Sequence, residues 1–448
     1  MPFESCGWPA ERGLSATVPR GEVWLDLSRL PWRAWRGRMT GIDRVELAYA
    51  SHLLATCGNR LRFTAFDYRS GFRELPRGLT DDFVRALGPA WAADDGKRTS
   101  ALARRVFLAG VSPTAARLPR ASSGNARPIW LNVSGHPMCQ AWALRRFAKR
   151  TGAAVVPLFH DLIPVEYPEY VPSGWTRRTG MRLATTAEMA SGVITNSEAT
   201  AEVLRRHLPA GIPIHSELLG VDVRPSANRR LKSGRHPAFA DGRPYFVMLG
   251  TIEPRKNHLL VLHAWRDIVN QHGRAAAPGL LVVGSRGWDC EQVLDVLERS
   301  ETLRGLVIET GRMSDISVDE AMAGARALLM PSFVEGYGLP VAEALASGCP
   351  VICSDIAAHR EIGGDVPEFL DPTDGPAWRK TVMDYAAQRS SRRASQLMRL
   401  NMWNTPEWSA HVAGALNFAE SVASAELGDV GDIHIRPRIP ALGNAEVR

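Results

Sequence analysis

Two carboxylates, Glu335 and Glu343, stand with seven residues between them in PSFVEGYGLPVAEALASGCPVICSD (331–355). Such a pair could act as acid and base, hold a metal ion, or grip a polyol, since each carboxylate offers two acceptor oxygens to a vicinal diol. Carboxylates that merely favour the positive end of a helix dipole would look the same in isolation. A second group lies upstream, in GTIEPRKNH (250–258), where Arg255 and Lys256 follow an apolar run and precede a helical pattern. Gly336 and Gly338 let backbone amides approach a ligand closely, and Pro340 suits the first turn of a helix. Two cations, free amides and a helix N-terminus together make a seat for a diphosphate, although an exposed charged turn has the same composition.

Several other chemistries lack their residues. A dinucleotide fingerprint, Gly-x-Gly-x-x-Gly, follows neither apolar run that could carry it, and no Gly-x-x-x-x-Gly-Lys-Ser/Thr loop occurs. Neither Asp-x-Asp nor His-Glu-x-x-His is present, so no metal ligand set is apparent and no metal or other cofactor is expected. The six cysteines are scattered, which fits reduced thiols packed as small apolar groups.

The elements that must position these residues alternate. EVWLDLS (22–28), RFTAFDY (62–68), PIWLNVS (128–134), AAVVPLFHD (153–161) and the end of MASGVITNS (189–197) read as strands. GIDRVELAYASHLLATC (41–57), residues 138–150 and EATAEVLRRHL (198–208) read as helices, and the Arg-, Ala-, Ser- and Gly-rich stretch 92–127 as an irregular insertion. After a breaker-rich segment the alternation restarts. Strands are expected at 245–251, 279–285, 305–311, 327–332 and 350–355, and helices at 257–271, 290–301, 317–325, 340–347 and about 406–425. The expected organisation is a loose N-terminus (1–20), a first Rossmann-like domain (21–223), a linker (224–244), a second Rossmann-like domain (245–400), a helix returning to the first domain (401–426, with Trp408 as its anchor) and a loose tail (427–448). The fold class is α/β, with two doubly wound domains facing each other across a cleft lined by the carboxyl ends of both sheets.

The motif series resembles a known family. E-P-R-K-N (253–257), G-x-x-x-D (311–315) and PSxxEGYGLPxxEALAxGxPVIxSD are similar to the nucleotide-sugar half of the retaining GT-B glycosyltransferases of family 4, over residues 245–365. The first half is similar more loosely, through TGIDRVELAYA, LNVSGH, LFHDLIPVEYPEY, ITNSEAT and LGVD, to bacterial mannosyltransferases of that family. The resemblance implies that Glu343 receives the ribose hydroxyls of a nucleotide-sugar and that Glu335 holds hydroxyls of the transferred sugar. Gly336, Tyr337 and Asp161 would also meet that sugar. Arg255 and Lys256 would neutralise the leaving diphosphate, with backbone amides from Gly250, Thr251, Gly338 and Leu339. Gly311, Arg312 and Met313 would face the base. His160 would point across the cleft at the donor sugar. Lacking an evident nucleophile, the chain fits the family's front-face retention, in which the departing phosphate deprotonates the acceptor hydroxyl. The donor implied is GDP-mannose, with a UDP-sugar as the alternative.

The acceptor side draws on Arg38, Gly41, Arg44 and His136. The loop PWRAWRGRMTG (31–41) joins two tryptophans to Arg33, Arg36 and Arg38, which suits a membrane interface or a lipid-diphosphate-linked saccharide. Charge is lopsided: residues 1–240 hold 34 Lys+Arg against 20 Asp+Glu, a balance of +14, whereas the remainder holds 20 against 27, a balance of −7. A basic first half favours an anionic partner such as a membrane surface or a phosphorylated ligand. No apolar run reaches about 18 residues and the first residues do not read as a signal peptide, so a cytoplasmic protein, peripheral at the inner membrane face, is expected. Nucleic acid is not an expected partner. Asn132-Val-Ser134 matches a glycosylation sequon but falls in an expected buried strand. A nucleotide-sugar epimerase and a silent sugar-nucleotide-binding scaffold remain the competing functions. The first would need acid and base groups on both cleft walls, where the first half offers mainly His160 and Asp161. Against the second stand intact Glu335, Glu343, Arg255 and Lys256.

Overall fold

A computed structural model of the chain describes residues 21–222 and 236–425, apart from 38, 94, 113–117, 119–125 and 240. The N-terminus 1–20, the tail 427–448, most of the linker 224–244 and Arg38 therefore lie outside the described residues.

The first lobe holds β1 (Val23–Asp26), β2 (Leu61–Asp67), β3 (Gly71–Glu74), β4 (Ile129–Asn132), β5 (Ala154–Phe159), β6 (Val193–Thr195) and β7 (Ile214–Ser216), in the order β3-β2-β1-β4-β5-β6-β7. Among the described residues of this lobe only the β2–β3 pair is antiparallel. The second lobe holds β8 (Tyr245–Leu249), β9 (Gly279–Val283), β10 (Val307–Gly311), β11 (Leu328–Met330), β12 (Val351–Ser354) and β13 (Glu368–Leu370), all parallel, in the order β10-β9-β8-β11-β12-β13. Helices cover both faces of each sheet, which is why β1, β4, β5, β9 and β12 are buried along their whole length and mostly apolar rather than alternating. In β1, Val23 and Leu25 enter the core on one face, while Trp24 joins Trp130, Phe72 and Phe147 on the other.

Two local readings of the sequence need correction. The stretch 92–127 is not irregular throughout: Gly96–Val111 is a helix that buries Ala103 and Val106 and sets Phe107 against Trp35. Nor is 31–41 wholly loop, because Leu30–Trp35 forms a short helix and Gly41 opens the helix Gly41–Thr56. The Asp43 carboxylate accepts from the Thr40 N–H and closes a capping box there.

The chain passes between the lobes twice, and the two passes touch. The Val221 N–H donates to the Pro406 carbonyl at 3.0 Å, and a Cβ at Gly220 would collide with the Trp408 backbone. The final helix, Trp408–Ala425, then lies on the first lobe against Gly41–Thr56 and the strands β4 and β5. Its His411 Nδ1–H donates to the Glu217 carbonyl (3.1 Å) and its Nε2 accepts from the Tyr49 hydroxyl (2.8 Å).

Candidate active site

In each sheet, strand order reverses once about a central pair, β1/β4 in the first lobe and β8/β11 in the second. Loops leaving the carboxyl ends at such a reversal diverge to opposite faces and open a crevice. The loops after β1, β4 and β5 carry Arg33 to Gly41, His136 and His160–Asp161. Those after β8, β10 and β11 carry Gly250 to Lys256, Arg312–Met313 and Glu335 to Leu339. The sequence order thus brings the chemistry-bearing residues to one inter-lobe cleft.

Glu335 is the centre of the second lobe's wall. Its carboxylate takes Lys256 Nζ and Arg255 Nη1 at 2.5 Å each, and the Ser332 hydroxyl at 2.7 Å. Arg255 also pairs with Glu253. A short 3-10 turn at Pro254–Lys256 aims both cations, and the Arg255 carbonyl accepts from the Phe333 N–H, stitching the β8 loop to the β11 loop. Burial would raise the Glu335 carboxyl, but the adjacent guanidinium and ammonium outweigh it and hold the group well below the usual carboxylate range. Lys256, 6% exposed, is lowered by its burial and partly restored by Glu335. The trio is therefore a charged cluster with two cations for one shared carboxylate.

Glu343 sits one turn into the helix Leu339–Ala346 and faces the first lobe. Arg44, expected on the acceptor side, reaches across the cleft and donates to Glu343 and, at 3.0–3.1 Å, to both oxygens of Asp315. Burial and the nearby Asp315, Asp319 and Asp222 raise the Glu343 carboxyl, against the pull of Arg44. The two glutamates do not form an acid–base dyad, since each has its own cation. Arg312 donates to the carbonyls of Gly37 (3.4 Å) and Met39 (3.1 Å), and a Cβ at Gly41 would lie 3.3 Å from Leu339 Cδ1. The segment leading into Gly41 is thereby held over the N-terminus of the Leu339–Ala346 helix.

On the opposite wall, His160 Nε2–H donates to the Val133 carbonyl at 2.7 Å. That bond fixes the tautomer and leaves Nδ1 as an acceptor only. Burial, reinforced by Arg182 and Arg29, lowers the imidazole to about 4, so it is neutral at pH 7. Asp161 accepts from the Ile163 N–H; burial raises its carboxyl while Arg255 and Arg182 oppose this. A cavity of about 330 Å³ opens between Asp161, Tyr167, Phe333, Glu335 and Gly336, a size in the lower range of small-molecule sites. His136 stands apart on the β4 loop, lowered by burial and by Arg29, Arg178 and Arg182.

Other expected residues meet different fates. Gly336 is needed for close approach: a Cβ there would collide with the His160 carbonyl and come within 2.7 Å of Asp161 Cβ. Its own carbonyl accepts from Ser197 (2.7 Å) and Thr200 (3.1 Å) of the first lobe. Tyr337 is 5% exposed and its hydroxyl donates to the Leu219 carbonyl, so its phenol serves the lobe contact. The Gly250 N–H donates to Val283, which leaves Thr251 as the amide of that pair for a ligand. Gly338, at φ +101°, begins the Leu339–Ala346 helix, and Gly311 (φ +68°) with Met313 lines the β10 end. Arg33 pairs with the buried Asp43, and Arg36 lies over the Trp35 ring at 4.7 Å. Asn132 is fully buried and bonded to Asp26 and to the Gly135 N–H, which excludes it as a glycan acceptor in this fold.

Sequence reasoning missed the inter-lobe partners. Glu361 accepts from the N–H groups of Glu198 and Ala199 (2.6 and 3.0 Å), capping a first-lobe helix from the second lobe. Phe333 stacks on Tyr170 at 5.8 Å, and the Trp288 indole donates to the Tyr170 carbonyl. None of these contacts leaves a local pattern in the chain. Arg182, also unforeseen, lies against the His136 loop.

Known proteins resemble this chain in sequence over part of its length and in fold over most of it. Residues 231–375 match the family described as Glycosyl transferases group 1. The chain is 30% identical over 254 residues to O-antigen chain mannosyltransferase B of Escherichia coli, covering 53% of this chain and 66% of that protein. It is 30% identical over 226 residues to the serotype-specific mannosyltransferase WbdA of Escherichia coli, covering 48% of this chain and 27% of that one. Among solved structures, the α,α-trehalose 6-phosphate synthase of Burkholderia multivorans superposes with a TM-score of 0.57 at 12% identity, over 93% of this chain and all of that one. Residues 231–375 thus carry a domain of the group 1 glycosyltransferases, on a GT-B fold of two facing α/β lobes, and the chain spans less than two thirds of the length of the mannosyltransferases it matches.

Proposed function

We propose that the protein is a retaining hexosyltransferase that transfers mannose from GDP-mannose to a saccharide or lipid-linked oligosaccharide during assembly of a bacterial surface polysaccharide. The observation that carries this reading is the buried Glu335–Arg255–Lys256 cluster at the carboxyl ends of β8 and β11. The mannosyltransferase relatives favour the sugar. The bond from the anomeric carbon to the phosphate oxygen breaks, and a bond to the acceptor hydroxyl oxygen forms on the same face. The acceptor's proton goes to the departing phosphate oxygen. Negative charge grows on that phosphate, where Arg255, Lys256 and the amides of Thr251 and Leu339 receive it, so no metal is needed in this reading. Glu335 turns its oxygens to hydroxyls of the sugar, Glu343 exchanges Arg44 for the ribose diol, and the β10 loop at Gly311–Met313 meets the base. His160, neutral and with only Nδ1 to offer, accepts a hydrogen bond from a sugar hydroxyl. An imidazolium there would oppose the positive charge growing on the ring.

In the same reading the protein works at the inner face of the membrane. Among the described residues no helix is long and apolar enough to cross a bilayer. Trp32, 38% exposed, and Arg36 lie on the short helix end that would meet the headgroups. The test is turnover with GDP-mannose, UDP-glucose and UDP-N-acetylglucosamine and a panel of saccharide acceptors, with product configuration read by NMR. Free GDP and an α-linked product support the proposal. A UDP donor alone would replace the sugar nucleotide, an interconverted sugar would replace transfer with epimerisation, and no turnover of any donor would overturn it.

A further inference from the structure

Arg182 is the residue the donor-side account does not use. It lies on the helix Trp175–Met189, which packs on the turn His136–Cys139. Its guanidinium rests 5.0 Å above the Phe159 ring and presses so closely on Gly135 that a Cβ there would collide with it. Gly135, at φ +68°, is thus the floor of a cradle for this cation. Its Nε is buried without a hydrogen-bond partner. A buried N–H of a cation left in that state is costly. The balance around it is one-sided. Arg29 and Arg178 join Arg182 in acting on His136, while Asp161 is the carboxylate that acts on Arg182. Arg29, which also acts on Arg182, is itself paired with Asp43. Arg182 and Arg29 also act on His160, the neighbour of Asp161 in the lining of the donor-sugar cavity.

We propose that Arg182, seated on Gly135 beside the His136 turn, forms an anion subsite that receives a phosphate or carboxylate carried by the acceptor. This rests on the glycosyltransferase reading and deepens it, because it makes the acceptor an anionic saccharide rather than a neutral one. The guanidinium fork offers two parallel N–H groups to either kind of oxyanion, so the subsite chemistry is shared and the source of the anion is read by experiment.

Calorimetric titration of the full chain, with a nucleoside diphosphate present to fill the Arg255–Lys256 end, decides it. The probes are mannose 1-phosphate, glucuronate and methyl α-mannoside. One of the two charged probes is expected to bind at least ~10-fold tighter than the neutral glycoside, and the tighter one identifies phosphate or carboxylate. Arg182→Gln is expected to abolish that preference while leaving nucleotide affinity unchanged, which also reports an intact fold; Arg182→Lys should retain part of it. Equal binding of charged and neutral probes, or a preference that survives Arg182→Gln, overturns the subsite. Failure of every nucleotide to bind counts against the donor reading instead, and the charged-against-neutral comparison in both proteins still decides the subsite.

Discussion

Glu335 shows how one carboxylate can organise two cations before any ligand arrives. Replacing it with Ala leaves Lys256 buried with no carboxylate of its own, whereas Arg255 keeps Glu253. Removing one partner of a buried pair costs about 3–5 kcal/mol. Losing a group that acts at the reacting centre typically lowers rate by about 10²–10³. Glu335→Ala is therefore expected to lower both the denaturant midpoint and turnover, and Glu335→Gln, which can still meet Ser332, to spare more stability than rate. Unchanged stability and turnover in the Ala variant would remove Glu335 from the centre. At this scale the sequence was informative where chemistry is local: Arg255 and Lys256 are adjacent, and Glu335 and Glu343 share one loop-and-helix stretch with seven residues between them. It was silent on Arg44 with Glu343, Tyr337 with Leu219 and Arg182 with Gly135, because these partners are 299, 118 and 47 positions apart in the chain and no short window holds both.

Among the elements, the buried strands were legible because parallel strands covered on both faces are apolar throughout. The helix Gly96–Val111 was not, since its buried positions, Ala103 and Val106, are small or few among arginines and serines. The closing helix carries a pH-dependent contact. His411 is buried and neutral, donating to Glu217 and accepting from Tyr49, and burial lowers it from 6.5 to about 4. Its folded value lies below its unfolded one, so its contribution is present above pH 6.5 and is lost as pH falls toward 4. The loss is on the order of 3 kcal/mol at ~1.4 kcal/mol per unit. Asp26 runs the other way: burial raises it to about 7, so its contribution is present below the unfolded value near 3.8 and fades as pH rises through 7. Thermal melts across pH 4 to 7.5 should therefore compare proteins. His411→Gln is expected to be less stable at pH 7.5 yet to lose less on acidification than the parent. Parallel curves for the two would contradict the neutral His411 contact.

For the whole molecule, two passes of chain at Val221 and Pro406 join the lobes, and the contacts across the cleft lie close to the candidate residues. The alternation of strand and helix made two doubly wound lobes legible, but not their closeness at Gly336 and His160, which depends on how the lobes face one another. The central claim is that this cleft holds a nucleoside diphosphate with Lys256 and Arg255 on its phosphates. Calorimetric titration of GDP and of UDP into the parent and into Lys256→Ala tests it most directly. The account requires one nucleotide to bind the parent one-to-one, with affinity at least ~10-fold weaker in Lys256→Ala. Binding of neither nucleotide, or equal affinity in the two proteins, would contradict it.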